Sequence, residues 1–401
     1  MKSAVAPARK PTLANSGKTI SVPMLDLSRQ YASIQPEITA VVQQVCASQQ
    51  YILGPEVEKF EAEAAAFIGT KYAVTCASGT DALWLSLAAA GIGAGDEVIT
   101  TPFSFFATAS AIVRTGARPV FADVEPTSLN LDPQAVTSCF EQSHSLKVKA
   151  MMPVHLYGQC ADMDRLSAVA KEHKLAMVED AAQAFGAAWR GKRAGSLGII
   201  AAFSFYPTKN LSCYGDGGLV TTNDNILAAH VRRLGNHGSE KRYYHEEIGW
   251  NSRLDAIQAA ILRVKLKHIE VWNPQRRERA QAYDLLLKKA GLLSPMGPQA
   301  TPIVRLLSDS EQNFHIYHQY VIRVQNREGL RSFLTERKIG SEIYYPLPLH
   351  LQKCFGYLGY AEGSFPESER AAREVLALPM FPELMPEEQA MVVNAIAEFY
   401  S

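Results

Sequence analysis

The stretch Tyr72-Ala73-Val74-Thr75-Cys76-Ala77-Ser78-Gly79-Thr80-Asp81-Ala82-Leu83-Trp84-Leu85 sets the pattern for the chain. A short apolar run over 72–75 gives way to the small triplet Ser78-Gly79-Thr80, and an apolar helix is predicted over 82–90. The unit then repeats. Glu97-Val98-Ile99-Thr100 precedes Pro102 and a predicted helix over 106–116, and Pro119-Val120-Phe121-Ala122 is a third run. Residues 150–154 and 176–179 continue the series, each expected to lead through a polar turn into a helix. Strands alternating with helices argue for a mostly parallel sheet covered on both faces. Upstream, 36–50 reads as helix and 51–55 as a break. Val57, Phe60, Ala64, Phe67 and Ile68 then form an amphipathic stripe that Gly69 stops.

Beyond Asn210 the rhythm changes. Gly215-Asp216-Gly217-Gly218 is a turn, and Leu219-Val220-Thr221-Thr222 reads as a strand returning as a hairpin. Residues 253–272 read as one long helix with Leu254, Ile257, Ile261, Val264 and Trp272 on roughly one face. From about Leu292 the chain is more polar and proline-rich, and Tyr320-Val321-Ile322-Arg323-Val324 supplies a new strand. The expected organisation is a loose tail over 1–21, a large α/β domain over 22–290 and a smaller C-terminal α+β domain over 291–401. A length of 401 residues accommodates both at ~150 residues per domain.

Composition narrows the function. Lys+Arg and Asp+Glu are both 40, so the chain lacks the charge excess of a nucleic-acid or polybasic membrane binder. No apolar run approaches the ~20 residues of a spanning helix, and the N-terminus lacks the apolar core of a signal peptide. Six scattered cysteines with no C-x-x-C pair point to reduced thiols and no metal site. The expectation is a cytoplasmic enzyme.

Three segments combine a strand end, a polar side chain and small neighbours, and ligands of open parallel sheets bind outside the strands' carboxyl ends. Ser78-Gly79-Thr80-Asp81 places free N–H groups and a hydroxyl at a helix N-terminus, which suits a phosphate or an ordinary N-cap. Neither G-x-G-x-x-G nor G-x-x-x-x-G-K-[ST] is present there. Val178-Glu179-Asp180-Ala181-Ala182-Gln183 ends a strand on two acids. A carboxylate there suits a buried cationic nitrogen, or else Asp180 caps the next helix and Glu179 faces solvent. Phe203-Ser204-Phe205-Tyr206-Pro207-Thr208-Lys209-Asn210 places a lysine after an aromatic strand, where a desolvated amine becomes a nucleophile toward carbonyls. A phosphate seat, an acid for a pyridinium nitrogen and a lysine for an aldehyde together describe pyridoxal 5′-phosphate.

With these motifs, and with Gly95-Asp96-Glu97-Val98, Gly116-Ala117-Arg118-Pro119 and Asn251-Ser252-Arg253-Leu254-Asp255, the chain resembles the DegT/DnrJ nucleotide-sugar aminotransferases of fold-type I, from about Leu25 to Tyr400. The resemblance implies that Lys209 is the Schiff-base lysine and proton carrier and that Asp180 partners the pyridine nitrogen. It places Gln183 near the ring oxygen and Phe105 stacked on the ring, with Phe106 the neighbouring alternative. Gly79, Thr80 and Ser204 match phosphate ligands. Asn251 matches a phosphate ligand given across a homodimer with shared active sites.

Lysine at 209, where some relatives carry histidine and act as dehydratases, favours transamination. The segments Phe205-Tyr206-Pro207-Thr208-Lys209-Asn210-Leu211 and Val154-His155-Leu156-Tyr157-Gly158-Gln159-Cys160-Ala161-Asp162 are similar to the branch that aminates C3 of UDP-2-acetamido-3-keto sugars and uronic acids for surface polysaccharides. Arg253, from the neighbouring subunit, and Tyr345 match sugar contacts of that branch, and glutamate is the implied donor. Tyr344 departs from the histidine frequent there. His350 reads equally as a ligand or a packed core residue. Rival readings are a 4-keto UDP- or dTDP-sugar aminotransferase and a non-catalytic cofactor-binding regulator.

Overall fold

A computed structural model describes residues 21–142, 147–293 and 302–401. The tail expected over 1–21 therefore lies, but for Ser21, outside the described residues. In chain order the strands are β1 (Tyr72–Cys76), β2 (Glu97–Thr100), β3 (Arg118–Phe121), β4 (Val148–Met152), β5 (Ala176–Asp180), β6 (Ala188–Trp189), β7 (Lys192–Arg193), β8 (Ile200–Ser204), β9 (Gly218–Thr222), β10 (Val304–Leu306), β11 (Asn313–Phe314), β12 (Tyr320–Val324) and β13 (Val375–Leu378). The helices are α1 (Leu27–Ser48), α2 (Pro55–Ile68), α3 (Gly79–Ala89), α4 (Ala107–Arg114), α5 (Pro133–Gln142), α6 (Met163–Glu172), α7 (Asn225–Gly235), α8 (Ala256–Leu266), α9 (Ile269–Lys289), α10 (Arg327–Glu336), α11 (Pro366–Glu374) and α12 (Pro386–Tyr400).

Seven strands form one sheet in the order β1-β9-β8-β5-β4-β2-β3. Only β9 runs antiparallel, paired with β8 on one side and β1 on the other, as the hairpin reading required. The carboxyl ends of β1, β2, β5 and β8 consequently lie along one edge. Both faces are covered, so the strands are short apolar runs with nearly every residue buried. Helix α3 lies on the sheet between α4 and α7, which also touch the strands, and is apolar on nearly every side. Gly69 ends α2 at φ 85°, a left-handed C-cap that glycine adopts without strain.

A second sheet, β10-β12-β13, is antiparallel throughout and has its own core against α10 and α12. Helix α9 joins the two cores: Ile269 and Trp272 belong to the first, and Ala280, Tyr283 and Leu287 to the second.

Two expectations are corrected. The single helix over 253–272 is two helices, with the break at Lys267 and His268 between α8 and α9. No helix follows β5 either. Positive φ at Gly186, Gly191 and Gly195 turns the chain through β6 and β7 instead. A side chain at Gly186 would lie 2.5 Å from Asn273 Nδ2, so the turn packs directly on α9. No described helix is long and apolar enough to cross a membrane.

Candidate active site

Two of the three segments meet at the edge where β1 and β8 end. Ser78 caps α3, its hydroxyl accepting from Asp81 N–H at 3.1 Å. The first helical N–H groups, those of Gly79 and Thr80, have no intrahelical acceptor. A Cβ on Gly79 would stand 2.4 Å from Ser204 Cβ and 2.9 Å from its Oγ, so this glycine admits β8 to the helix terminus. Ser204 and the α3 N-terminus thus border one small space, with donors and a positive dipole end suited to a phosphate.

Asp180 closes β5 and is 3% exposed. Its Oδ2 accepts from Thr108 Oγ1 at 2.7 Å and its Oδ1 from Ala182 N–H at 3.2 Å. Burial pushes its pKa up, while Thr108, Ala182, Lys209 and His155 act in the opposite sense. It caps no helix. Glu179 does not face solvent: it is fully buried and accepts from the N–H groups of Gly195, Leu197 and Gly198 and from His155 Nε2. A strand covered on both faces buries both acids, and four donors compensate the charge of Glu179.

Lys209 follows β8 in a turn closed by its own N–H to Tyr206 C=O at 2.8 Å. Burial of the amine lowers its pKa to about 8, Asp180 opposing. No described carboxylate lies within ion-pair distance of it, which leaves the amine available for chemistry.

The structure links Gln183, Tyr345 and Phe105 to this pair. Gln183 Oε1 accepts from Tyr157 N–H at 2.7 Å, and its Nε2 donates to Tyr345 OH at 3.0 Å. Burial, with Asp180 nearby, raises the Tyr345 pKa. Phe105 lies 6.2 Å, centroid to centroid, from Tyr345 and is 57% exposed, whereas Phe106 packs on Phe355. Of the two phenylalanines, Phe105 therefore presents its ring to the cluster.

Asn251, Arg253 and His350 stand elsewhere. Asn251 is exposed and bridges to Asn236, the residue whose Oδ1 accepts from Arg253 at 3.4 Å. Among the described residues neither has a hydrogen bond to the Lys209 cluster of its own chain. His350 is buried, with Nε2 3.0 Å from Glu369 and its ring against Phe365. Its surroundings are the apolar cluster of Leu349, Phe355 and Leu358.

Sequence reasoning missed Thr108, His155 and His318. His318 Nδ1 is 3.2 Å from Asn210 Oδ1, and burial, with Lys209 and Arg276 near, holds its pKa well below the usual range. Thr108, in the first turn of α4 just after the loop of Phe105, and His155, within the segment 154–162, adjoin stretches already singled out, whereas His318 left no signal.

The model of the DegT/DnrJ/EryC1/StrS aminotransferase family matches residues 32–397. The pleiotropic regulatory protein of Geobacillus stearothermophilus is 50% identical over 95% of this chain and 99% of its own length. The UDP-2-acetamido-2-deoxy-3-oxo-D-glucuronate aminotransferase of Pseudomonas aeruginosa is 42% identical over 90% of this chain and 96% of its own. Among solved structures, S. venezuelae DesV in complex with a ketimine intermediate is 43% identical with a TM-score of 0.88, covering 94% of this chain and 98% of DesV. Agreement over that length gives the chain the fold expected from its motifs, the α/β architecture of fold-type I aminotransferases.

Proposed function

The chain belongs to the DegT/DnrJ/EryC1/StrS aminotransferase family, and on that premise we propose that it moves an amino group from glutamate to C3 of a UDP-2-acetamido-3-keto sugar or uronic acid. The product would serve surface polysaccharide. The observation that carries the reading is the half-buried Lys209 in the field of the buried Asp180 at the sheet edge, in a chain 42% identical to an enzyme named for a 3-oxo uronate.

The cofactor of the family is pyridoxal 5′-phosphate, and the residues present fit it. Lys209 would hold it through its amine, Asp180 at the ring nitrogen and Gln183 near the ring oxygen. Phe105 would cover the ring, and Gly79, Thr80 and Ser204 would hold the phosphate. When bound, the cofactor supplies an electron-accepting ring and carries the amino group between the two substrates. Asp180, ionised, would keep the ring nitrogen protonated. Lys209 would hold and move the proton at its amine. With a pKa of about 8, roughly one lysine in ten is free amine at pH 7, so base and acid forms are both populated. Tyr345, held by Gln183, would border the sugar, whereas His350 packs on Glu369 and Phe365 and takes no part. Asn251 and Arg253, which among the described residues make no hydrogen bond to the Lys209 cluster of their own chain, would serve the site of a second subunit, making the homodimer the working unit.

A second reading follows from the relative named a regulatory protein: this chain would bind the cofactor without turnover. One experiment separates the readings. The protein is coupled to sugar dehydrogenases that generate 3-keto or 4-keto UDP- and dTDP-sugars, glutamate is added, and products are read by mass spectrometry. A 3-amino UDP-sugar is expected, abolished in Lys209→Ala. A 4-amino product alone overturns the C3 assignment. No product from any sugar, together with a Lys209→Ala protein that keeps its biological activity, favours the regulator.

A further inference from the structure

Asp180 is held by a side chain that the proposed chemistry does not yet use. Thr108 is the second residue of α4, and a helical threonine hydroxyl ordinarily bonds within its own helix. This one donates instead to Asp180 Oδ2 at 2.7 Å, across 72 residues of sequence. Thr108 is 1% exposed and Ser104, its own partner at 2.8 Å, is 4% exposed. An ionised carboxylate only accepts, so the Thr108 proton is committed to Asp180 and the Ser104 proton to Thr108. The direction Ser104 to Thr108 to Asp180 is therefore fixed, and each bond polarises the next. The same loop carries Phe105, whose carbonyl accepts from Thr108 N–H at 3.1 Å.

We infer that Ser104 and Thr108 form a hydroxyl chain that keeps the Asp180 carboxylate ionised and aimed, which makes Thr108 a positioning residue for the transamination. The inference rests on the reading that Asp180 pairs with the cofactor's ring nitrogen. Burial disfavours the charge of Asp180, and Thr108 is the foremost group acting against that. Lys209 and His155 add attraction from β8's loop and from the segment after β4, while Tyr345 approaches from the second unit. Of these partners only Thr108 donates a side-chain hydrogen bond to the carboxylate.

The test uses holoprotein, brought to successively lower pH, rapidly desalted and scored for retained cofactor by absorbance. Protonation of Asp180 releases the ring nitrogen and gives an acid limb. Thr108→Val moves that limb up by about one pH unit, the scale of one lost charge-assisted hydrogen bond. Thr108→Ser restores it, and Ser104→Ala moves it the same way by less. The kcat of Thr108→Val falls about tenfold with the KM for sugar little changed, because the loss falls on charge that develops during reaction. Should Thr108→Val not fold, judged by its circular dichroism melt, Ser104→Ala carries the test. An acid limb unmoved in Thr108→Val, or in Ser104→Ala where that is the variant in hand, but lost in Asp180→Asn overturns the hydroxyl chain. A limb unchanged in Asp180→Asn overturns the role of Asp180 itself.

Discussion

Lys265, on α8, is a second lysine with a depressed pKa, and replacing it should stabilise the protein. It is 1% exposed. Its ammonium donates to Ser212 Oγ at 3.0 Å and lies 4.3 Å from the ring centre of Tyr214, and no carboxylate among the described residues pairs with it. Burial lowers its pKa from 10.5 to about 8, with Cys213 a small opposing influence. At pH 7 the folded protein therefore still holds an ammonium, but one that burial makes costlier than the same charge in the unfolded chain. A shift from 10.5 to about 8 corresponds to about 3 kcal/mol at ~1.4 kcal/mol per pH unit. Between those pH values the unfolded chain keeps the proton that the folded one has lost, so unfolding takes up a proton and raising the pH stabilises the fold. From pH 7 to about 9.5 the gain from this residue is about 2 kcal/mol. Lys265→Met, close in shape and uncharged, removes that increment. At pH 7 it should leave the variant about 1–2 kcal/mol more stable after the lost Ser212 bond and Tyr214 contact are subtracted. The assay is urea unfolding at both pH values, on protein stripped of cofactor and at one protein concentration, because bound ligand and subunit association shift apparent stability. Lys209 titrates in the same window and sense, so the difference between the two proteins isolates Lys265. Equal pH increments in wild type and variant would refute the reasoning.

Gly79→Ala forces a Cβ to 2.4 Å from Ser204 Cβ and 3.0 Å from its Cα, on a strand clamped between β5 and β9. A cost of about 1–3 kcal/mol in urea unfolding is expected, with weakened cofactor retention, and Ser204→Gly should recover part of the stability, though not the retention. When inactive Lys209→Ala subunits are randomly mixed with Asn251→Ala subunits, whose cofactor affinity is weakened, roughly a quarter of all sites should be complete, since each mixed dimer then has one; activity that stays at the level of the separate variants would deny sharing.

The sheet was legible because its strands are short runs between turn residues and buried on both faces. The runs at 72, 97, 176 and 320 begin where β1, β2, β5 and β12 begin. The α8–α9 break was not legible. Neither glycine nor proline marks it, Lys267 and His268 both keep right-handed helical dihedrals, and Trp272 N–H already bonds His268 C=O. An apolar stripe reads continuously across such a joint because the second helix restarts almost at once. The partners of Asp180 and Lys209 were hidden for another reason: Thr108 and His318 approach from segments remote in sequence, where no local period connects them.

The two neighbouring acids at the end of β5 show what structure adds to such a reading. In sequence Glu179 and Asp180 are interchangeable candidates, and the sheet buries both. Their donors differ. Glu179 is surrounded by three backbone N–H groups and the Nε2 of His155, whose Nδ1 accepts from Ala161 N–H. That arrangement commits the carboxylate to holding the turn after β7 against the sheet. Among the described residues Asp180 receives one hydroxyl and one N–H, which leaves lone pairs of a buried anion with Lys209 as its cationic neighbour. A carboxylate so incompletely matched is stable only if a further donor completes it. A protonated ring nitrogen is such a donor, so the deficit at Asp180, rather than the presence of an acid, is what favours it over Glu179 in the proposed reading.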